Sequence, residues 1–413
     1  MTSIPDRCPP AVLRVPPLVH YGWGSVVSAP SVVSRLGARV LICTDATLAA
    51  LPEFASLRDA LAAQGSTVTV YSEGKPELPL ASVEEAVRVA ADVAPQVIVG
   101  YGGGSSIDLA KVVALLTSYP APISDYYGEN AVPGPVLPVV AVPTTAGTGS
   151  EVTPVAVVTD SERAFKVGIS SPWLVPAAAV VDPALTRGCP ARVRAHSGAD
   201  ALAHALEALT AGRRQPEWAA RDLPVFVGSQ LLGDHLAADA AVVIGRSLHT
   251  AVDDPGDDSA LASMAYGSLC AGMAFGTSGT HLGHALQYSI GAATQTSHGL
   301  GVGLLLPYVL EATRPVSDCR LVEVAQGWDL QGSDPAAAVI DETARILAAV
   351  GIPRTLADLG LGRDDLPALA QQSAGFSRLV DNAPVAADSG LLLRILRAAW
   401  TGDRSLVHED GRS

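Results

Sequence analysis

The sequence predicts an N-terminal α/β domain on a Rossmann-like parallel sheet, followed by an all-α C-terminal domain. Two observations carry this prediction. Short apolar runs alternate with helical patterns up to about residue 182, which is typical of a parallel sheet covered on both faces. Only helical patterns follow, so we expect a boundary near residue 187 and domains spanning 1–187 and 188–413. A chain of 413 residues is long enough for two such cores.

The elements of the first domain follow from the spacing of apolar residues and from their polar or glycine-rich ends. A strand or hairpin is expected within residues 11–28. Buried parallel strands of one sheet are expected at 39–45, 67–71, 96–101, 138–143, 155–159 and 179–182. The helices between them are expected near 31–36 and at about 47–64 and 82–93.

The second domain is expected to open with a helix that Ser197 caps, because an Ala/Leu-rich run of strong helix formers follows that residue. Further helical patterns occur at about 233–251, 258–275, 279–289, 301–313, 335–350 and 388–400.

Composition excludes several classes of function. The formal net charge of −14 repels phosphate backbones, so we expect no nucleic-acid partner. No run of about 18 apolar residues is present, which argues against a membrane span. The five cysteines form no CxxC pair and the first residues lack the pattern of a signal peptide. We therefore expect a cytoplasmic protein with reduced thiols.

A glycine-rich turn follows the strand at 96–101. Glycines between a strand and a helix allow a ligand to approach the backbone, and the helix start offers free N–H groups to a phosphate. Ile107 stands where the GxGxxG fingerprint has its last glycine, and the candidate ribose carboxylate, Asp45, precedes the turn instead of following it. A nucleotide site of a different build is predicted, with a tight packing turn as the alternative. Its candidate residues are Gly102, Gly103, Gly104, Ser105 and Asp108.

The strand at 138–143 leads into a loop rich in hydroxyl groups, with Thr144, Thr145 and Thr148. Loops after parallel strands are where such sheets bind ligands, although a solvated turn has the same composition. Lys166 lies farther along and is one of only three lysines in the chain. It is either an ordinary surface residue or a further contact for a bound nucleotide.

Two half-sites for a metal ion occur in the helical region. Asp200 and His204 are four residues apart, so they share one face of a helix. Taken alone, this pair favours a paired or capped structural role over a metal site. His284 and His298 lie in a segment otherwise poor in histidine, and neutral imidazole is the commonest metal ligand. Together the four residues suit a divalent first-row metal with one position left for substrate. His281 is expected to be structural.

With these motifs assembled, the chain resembles the iron-dependent (group III) alcohol dehydrogenase family over nearly its whole length. The matching stretches are Thr44-Asp45, Gly102–Lys111, Pro143–Thr153, Asp200-x-x-x-His204-Ala-x-Glu207 and His284-x13-His298-Gly299. The resemblance implies the dehydroquinate synthase-like/iron alcohol dehydrogenase fold, in which a nucleotide-binding α/β domain and a helical metal-binding domain enclose a cleft.

The resemblance also implies a role for each site residue. Fe²⁺, or Zn²⁺ in some members, would be held by Asp200, His204, His284 and His298. The pyrophosphate would lie on residues 102–105. Thr144, Thr145 and Thr148 would contact the nicotinamide half of the cofactor and Lys166 its ribose. Asp45 matches the position that accepts the adenosine ribose hydroxyls, and a carboxylate there favours NAD(H) over NADP(H).

Three positions depart from the family pattern. Tyr288 replaces a histidine four residues after His284 that many members use to relay a proton, so the catalytic candidates are Tyr288 and His284. Lys75-Pro76-Glu77-Leu78 replaces the usual Pro-Asn-Pro. Pro154 stands where many members have an asparagine.

The expected activity is reversible hydride transfer between NAD(H) and a small alcohol/aldehyde pair. Simple aldehydes and anionic ones such as phosphonoacetaldehyde or a semialdehyde are both open as substrates. The alternatives are a hydroxyacid–oxoacid transhydrogenase with tightly bound cofactor, and a lyase resembling dehydroquinate synthase that uses NAD transiently. The family resemblance also implies a homo-oligomer, most simply a dimer.

Overall fold

The computed structural model describes residues 9–160, 165–214 and 216–408. Within these ranges the chain forms nine strands, all of them before residue 187. They are β1 (Val19–Tyr21), β2 (Arg39–Cys43), β3 (Thr67–Tyr71), β4 (Val97–Gly102), β5 (Gly128–Glu129), β6 (Val139–Pro143), β7 (Val155–Asp160), β8 (Phe165–Ser170) and β9 (Ala178–Val181).

The helices cover the sheet and then build the second half of the chain. They are α1 (Ala29–Ser34), α2 (Ala46–Ala49), α3 (Pro52–Ala63), α4 (Leu80–Val93), α5 (Gly104–Ser118), α6 (Ala191–Thr210), α7 (Leu231–Asp253), α8 (Asp258–Ser278), α9 (Leu282–Thr294), α10 (His298–Gly327), α11 (Pro335–Ala349), α12 (Leu366–Ala374), α13 (Ser377–Val380) and α14 (Ser389–Thr401). Among the described residues, no helix is long and apolar enough to cross a membrane.

The larger sheet is parallel throughout, in the order β1-β9-β6-β4-β2-β3. This confirms the predicted parallel α/β architecture followed by helices. Because β4 lies between β2 and β6, the turns that follow these three strands meet at one edge of the sheet. The candidate residues after them, Asp45, Gly103 and Thr144, are therefore neighbouring features of that edge.

One predicted strand belongs elsewhere. Residues 155–159 do not extend the parallel sheet, because β7 pairs antiparallel with β8, which in turn pairs with β5. The burial of β7 alternates along the strand, as expected where only one face is covered. The small sheet β5-β8-β7 is thus a separate layer that carries Lys166 on β8.

Two helix starts also differ from the prediction. The segment 47–64 forms two helices, α2 and α3, because Pro52 fixes a new helix start after Leu51. Ser197 is not a cap: α6 begins at Ala191, after Pro190, so Ser197 lies in the second turn of the helix. The proposed division near residue 187 falls between β9 and α6.

Helix α6 is the centre of the helical half, with α7, α8 and α10 packed around it. From Gly198 onward each of its residues is buried. The two halves of the chain meet closely at Gly149, where a Cβ would lie 2.5 Å from the Cα of Gly272 on α8. This contact brings the loop after β6 against the helical half.

Lys111 on α5 is a buried lysine that fixes the chain after that loop. Its ammonium donates to the backbone oxygens of Thr153 at 2.9 Å and Val155 at 2.7 Å. Burial lowers the pKa of Lys111 to about 8, against the opposing effect of Asp108 and Glu151. The side chain has no exposed surface, so its hydrogen bonds hold β7 onto α5 without competition from water.

We predict that Lys111→Met lowers the free energy of unfolding by about 1–3 kcal/mol, because two buried carbonyl groups lose their donor. Denaturant unfolding followed by circular dichroism measures the change. Lys75→Met is the matched control, since the Lys75 side chain is 58% exposed, and it should change stability by less than about 0.5 kcal/mol. Equal effects of the two substitutions would contradict the assignment.

Candidate metal and cofactor site

Three imidazoles surround one carboxylate oxygen in the interior of the helical half. Oδ1 of Asp200 lies 3.7 Å from Nε2 of His204, which is one turn later on α6. The same oxygen lies 3.9 Å from Nε2 of His284 on α9 and 3.7 Å from Nε2 of His298 at the start of α10. The four predicted side chains therefore come together, with one nitrogen of each imidazole turned towards the carboxylate.

The donor set fits a divalent cation. The ligand atoms of Asp200, His204 and His284 lie within 4.8 Å of one another, and these side chains are buried. Oδ1 of Asp200 and Nε2 of His284 are buried without a hydrogen-bond partner among the described residues. Buried polar atoms normally have partners. A metal ion bound between them would satisfy both atoms, which is why we take the cluster as a candidate metal centre.

Burial sets the charge state of the cluster. It raises the pKa of Asp200 to about 7, and it lowers the pKa of His204 and of His298 well below the usual value. Both histidines are therefore neutral near pH 7, the form that binds metals. The neutral His204 and His298 supply no positive charge to the Asp200 carboxyl group, so a bound cation would stabilise its ionised form.

Hydrogen bonds and ring stacking outside the cluster orient the imidazole rings of His204 and His284. Nδ1 of His204 lies 3.3 Å from the backbone oxygen of Gly147, and its ring stacks on Phe275 of α8 with centroids 4.0 Å apart. Nδ1 of His284 is hydrogen-bonded to Glu207. With these nitrogens engaged, Nε2 is left to face Asp200, as expected of metal-bound histidines.

Glu207 is a residue to which the sequence argument assigned no role of its own. It is fully buried on α6, and its second oxygen accepts from the backbone N–H of Gly283 at 2.6 Å. Burial alone would raise its pKa, but His281 and His284 together with these hydrogen bonds lower the pKa of Glu207 to about 2. Its spacing of seven from Asp200 along α6 was the available signal, since two helical turns return to the same face.

His281 does not join the cluster. Its Nε2 lies 3.0 Å from the hydroxyl oxygen of Thr210, and its Nδ1 lies 3.4 Å from Glu207. This fully buried position agrees with the structural role expected for it.

His196 on α6 lies outside the cluster and helps to position His298. Its Nδ1 lies 2.8 Å from the hydroxyl oxygen of Ser297, the residue directly before α10. A side chain at Gly299 would collide with the backbone of His196, because its Cβ would lie 2.0 Å from that carbonyl oxygen. The start of α10 is thus held directly against α6.

The glycine-rich turn and the hydroxyl-rich loop pack on each other. A Cβ at Gly104 would lie 2.7 Å from a side-chain carbon of Thr148, and one at Gly103 would lie 3.4 Å from the hydroxyl oxygen of Thr145. A Cβ at Gly147 would lie 2.5 Å from the Cβ of Ser197 on α6. The loop that includes Thr144 therefore bridges the helix start of α5 and the helix that carries Asp200 and His204.

Other candidate cofactor residues have defined contacts. Oδ1 of Asp45 caps α2 by accepting from the N–H groups of Thr47 and Leu48. The hydroxyl oxygen of Ser105 accepts from the N–H of Glu77 at 3.2 Å. Lys166 forms an ion pair with Glu77, in the segment that departs from the family pattern.

The contacts of Asp108 are internal. One oxygen accepts from the Ser150 hydroxyl at 2.5 Å and the other from the N–H of Val157 at 2.9 Å. Both carboxylate oxygens are engaged in holding α5 to β7 and to the end of the hydroxyl-rich loop. These bonds give Asp108 a supporting position behind the glycine-rich turn.

Tyr288 borders the candidate metal centre. It lies one turn after His284 on α9, and its ring centroid is 5.9 Å from that of His298. On its other side its ring meets Phe376 edge-on, at 5.3 Å. Burial raises the pKa of Tyr288, with Arg378 acting in the opposite direction. Its phenol is therefore protonated near pH 7 beside the cluster.

Comparison with known proteins assigns the chain to a family. The model for iron-containing alcohol dehydrogenase matches residues 16–183, and the model for the C-terminal region of the Fe-containing family matches residues 194–400. The chain belongs to the iron-containing alcohol dehydrogenase family. It is accordingly an oxidoreductase that acts on CH–OH groups.

Relatives of known name extend over almost the whole chain. Long-chain-alcohol dehydrogenase 1 of Geobacillus thermodenitrificans is 35% identical over 396 residues, which is 94% of this chain and 96% of that protein. A crystal structure of 1,3-propanediol oxidoreductase superposes with a TM-score of 0.87 at 28% identity, covering 94% of this chain and 99% of the other. Sulfoacetaldehyde reductase of Bifidobacterium kashiwanohense, in complex with NAD⁺, gives 0.80 at 27% identity, with 97% and 98% covered.

We predict that Glu207→Gln weakens divalent metal binding by about 10–100-fold, because the carboxylate that orients His284 is lost. Titration with Zn²⁺ or, without oxygen, Fe²⁺ measures the affinity. Glu84→Gln removes the same charge from an exposed position on α4 and should leave the affinity unchanged. Unaltered binding in Glu207→Gln would mean that His284 does not depend on this contact.

Proposed function

We propose that this member of the iron-containing alcohol dehydrogenase family reduces a small aldehyde reversibly with NADH, using iron held by Asp200, His204, His284 and His298. One observation carries the proposal: Nε2 of each histidine faces one buried oxygen of Asp200, and the loop that contacts His204 also packs on the glycine-rich turn. Zn²⁺ suits the same ligands and is the alternative metal.

In this proposal different groups of the chain bind the metal ion, the pyrophosphate and the nicotinamide half of the cofactor. When bound, a divalent cation polarises a carbonyl oxygen as a Lewis acid. N–H groups of the first turn of α5 would donate to a pyrophosphate on residues 102–105, because the first turn of a helix has no preceding turn to accept from it. Thr144, Thr145 and Thr148 orient the nicotinamide half, and Lys166 contacts its ribose. Holding the two reactants in one geometry supplies much of the rate.

Tyr288 is the proposed proton donor for the new alcohol oxygen. Its phenol lies between His298 and Phe376, and burial keeps it protonated by raising its pKa. The family histidine that Tyr288 replaces would titrate near neutrality, whereas a phenol stays a donor across that range. The aldehyde carbonyl would therefore be hydrogen-bonded from this side while hydride arrives from the cofactor.

We predict that His204→Ala and His284→Ala lose bound metal and at least about 100-fold of the NADH-dependent aldehyde reduction, since each removes a ligand from a four-ligand site. Metal analysis and loss of NADH absorbance on the same samples give both readouts. His249→Ala is the control, because His249 is an exposed histidine on α7.

The same assay separates the alternatives. A variant that keeps full activity without metal would refute the proposed centre. Interconversion of a hydroxyacid and an oxoacid without net NADH loss would indicate a transhydrogenase instead. Turnover that needs NAD would indicate a lyase if it neither consumes NAD nor oxidises one substrate while it reduces another.

Asp45 is proposed to select NAD(H). We predict that Asp45→Asn raises the ratio of kcat/KM for NADPH to that for NADH by about tenfold or more, because a negative charge near the 2′-phosphate is removed. Asparagine keeps the oxygen that caps α2, so stability should change little. Steady-state kinetics with both cofactors test this, and an unchanged ratio would place the adenosine ribose elsewhere.

Two further expectations stay predictions. A homodimer would have a candidate surface at β1, an edge strand of the larger sheet flanked by exposed Tyr21, Trp23 and Val27. A cytoplasmic location remains the expectation from cysteine usage. Cys43, Cys189, Cys270 and Cys319 are free in the described part of the chain, and Cys8 lies outside it.

A further inference from the structure

An arginine, Arg378, lies two residues after Phe376, whose ring contacts Tyr288. Arg378 is on α13, a short helix that packs against α9, the helix of His284 and Tyr288. The residue before α13, Phe376, meets the Tyr288 ring edge-on at 5.3 Å. The fold thus places the helix of Arg378 beside Tyr288, which itself lies beside His298.

The guanidinium of Arg378 is held in place by stacking. Its central carbon lies 4.5 Å from the ring centroid of Phe226. Stacking uses the face of the guanidinium and leaves the N–H groups along its edge free to donate. An arginine fixed in this way is preorganised for a planar or tetrahedral anion.

No carboxylate of the described residues lies within 4.0 Å of this guanidinium, in contrast to Arg246, Arg314 and Arg404, which have ion pairs. Two carboxylates act on it from a greater distance: Glu129, which accepts from the N–H of Val225, and Glu207 of the cluster. Burial lowers the pKa of Arg378, and Tyr288, Glu129 and Glu207 oppose this effect. The guanidinium is therefore partly removed from water and has no carboxylate of the described residues at ion-pair distance.

We propose that the substrate of this enzyme carries an anionic group, a carboxylate, sulfonate or phosphonate, at the end remote from its aldehyde, and that Arg378 binds this group. The inference rests on the proposed function, which places the aldehyde at the histidine cluster. An arginine edge donates two parallel hydrogen bonds to such groups, so it selects for them over neutral aldehydes. Arg378 is in this sense a specificity-determining residue.

Lys166 is a less suitable anion-binding residue for this end of the substrate. It forms an ion pair with Glu77, on the side of the glycine-rich turn. Arg378 has no such ion pair among the described residues, and its helix packs against the helix of Tyr288. Arg378 is therefore better placed than Lys166 to bind a substrate anion next to Tyr288.

The test compares matched substrates. Succinic semialdehyde and its methyl ester differ at the remote end, where the ester carries a methyl group in place of the negative charge. Sulfoacetaldehyde and phosphonoacetaldehyde are each compared with neutral propanal, which extends the test to the other two anions. NADH loss is measured for the parent enzyme, Arg378→Gln, Arg378→Lys and the exposed control Arg58→Gln. We expect the parent to prefer the best anion over its neutral partner by at least about tenfold.

In Arg378→Gln, kcat/KM for the preferred anion should fall about 10–100-fold, mainly through KM, with less than about threefold change for the neutral partner. Arg378→Lys should recover part of the loss, since it keeps the charge without the fork. Arg58→Gln should behave as the parent. The anionic aldehyde that the parent enzyme reduces with the highest kcat/KM identifies the preferred group as carboxylate, sulfonate or phosphonate.

Equal losses for charged and neutral aldehydes, or a parent that reduces the neutral partner as well as the acid, would overturn the inference while leaving the proposed function intact. A parent that reduces no aldehyde with NADH would overturn the proposed function itself. If thermal unfolding shows that Arg378→Gln is not folded, the preference of the parent for the acid over its ester decides.

Discussion

The Asp200 carboxylate, buried among three imidazoles, is the interaction on which the rest of the helical half depends. A charge removed from water without compensation costs several kcal/mol, and burial accordingly raises the pKa of Asp200 to about 7. The structure does not remove the cost by pairing Asp200 with arginine or lysine. It leaves Oδ1 of Asp200 and Nε2 of His284 without partners instead. A cation bound between these two atoms would satisfy both and stabilise the ionised carboxylate, so the stability of the fold should be linked to metal binding.

Close packing around α6 makes the cluster possible. Three glycines let the backbone of two other segments reach the helix: a Cβ at Gly147 would strike Ser197, one at Gly299 would strike His196, and one at Gly303 would lie 2.9 Å from Ala199. These approaches join the loop after β6 and the start of α10 to the same helical turns that carry Asp200 and His204. The cofactor loop and the metal ligands are therefore positioned by one element, which couples their geometry.

The sequence revealed the parts of the site that are local. The four-residue spacing of Asp200 and His204 and the glycines after β4 carry their chemistry in the pattern itself. Features that depend on tertiary contact were missed or misplaced. Residues 155–160 have the composition of a parallel strand but pair with β8 in a second sheet, and Ser197 satisfies the rule for a cap while α6 starts two turns earlier. Arg378 lies in a short helix far along the chain, and only the fold packs that helix against α9, which carries Tyr288.

The scarcity of lysine explains how an acidic enzyme would hold anions at both ends of its cleft. Of the three lysines in the chain, Lys111 donates to backbone oxygens inside the fold and Lys166 forms an ion pair with Glu77. The phosphates of a nucleotide must then rely on backbone N–H groups at the start of α5, which bind anions without adding a side-chain charge. At the substrate end α10 begins beside Tyr288, but its first residue, His298, belongs to the histidine cluster. The proposed anion-binding group there is a side chain instead, the arginine whose orientation is fixed by stacking on Phe226. In the proposed function these two different groups would orient a charged aldehyde and a dinucleotide towards the same cluster of imidazoles.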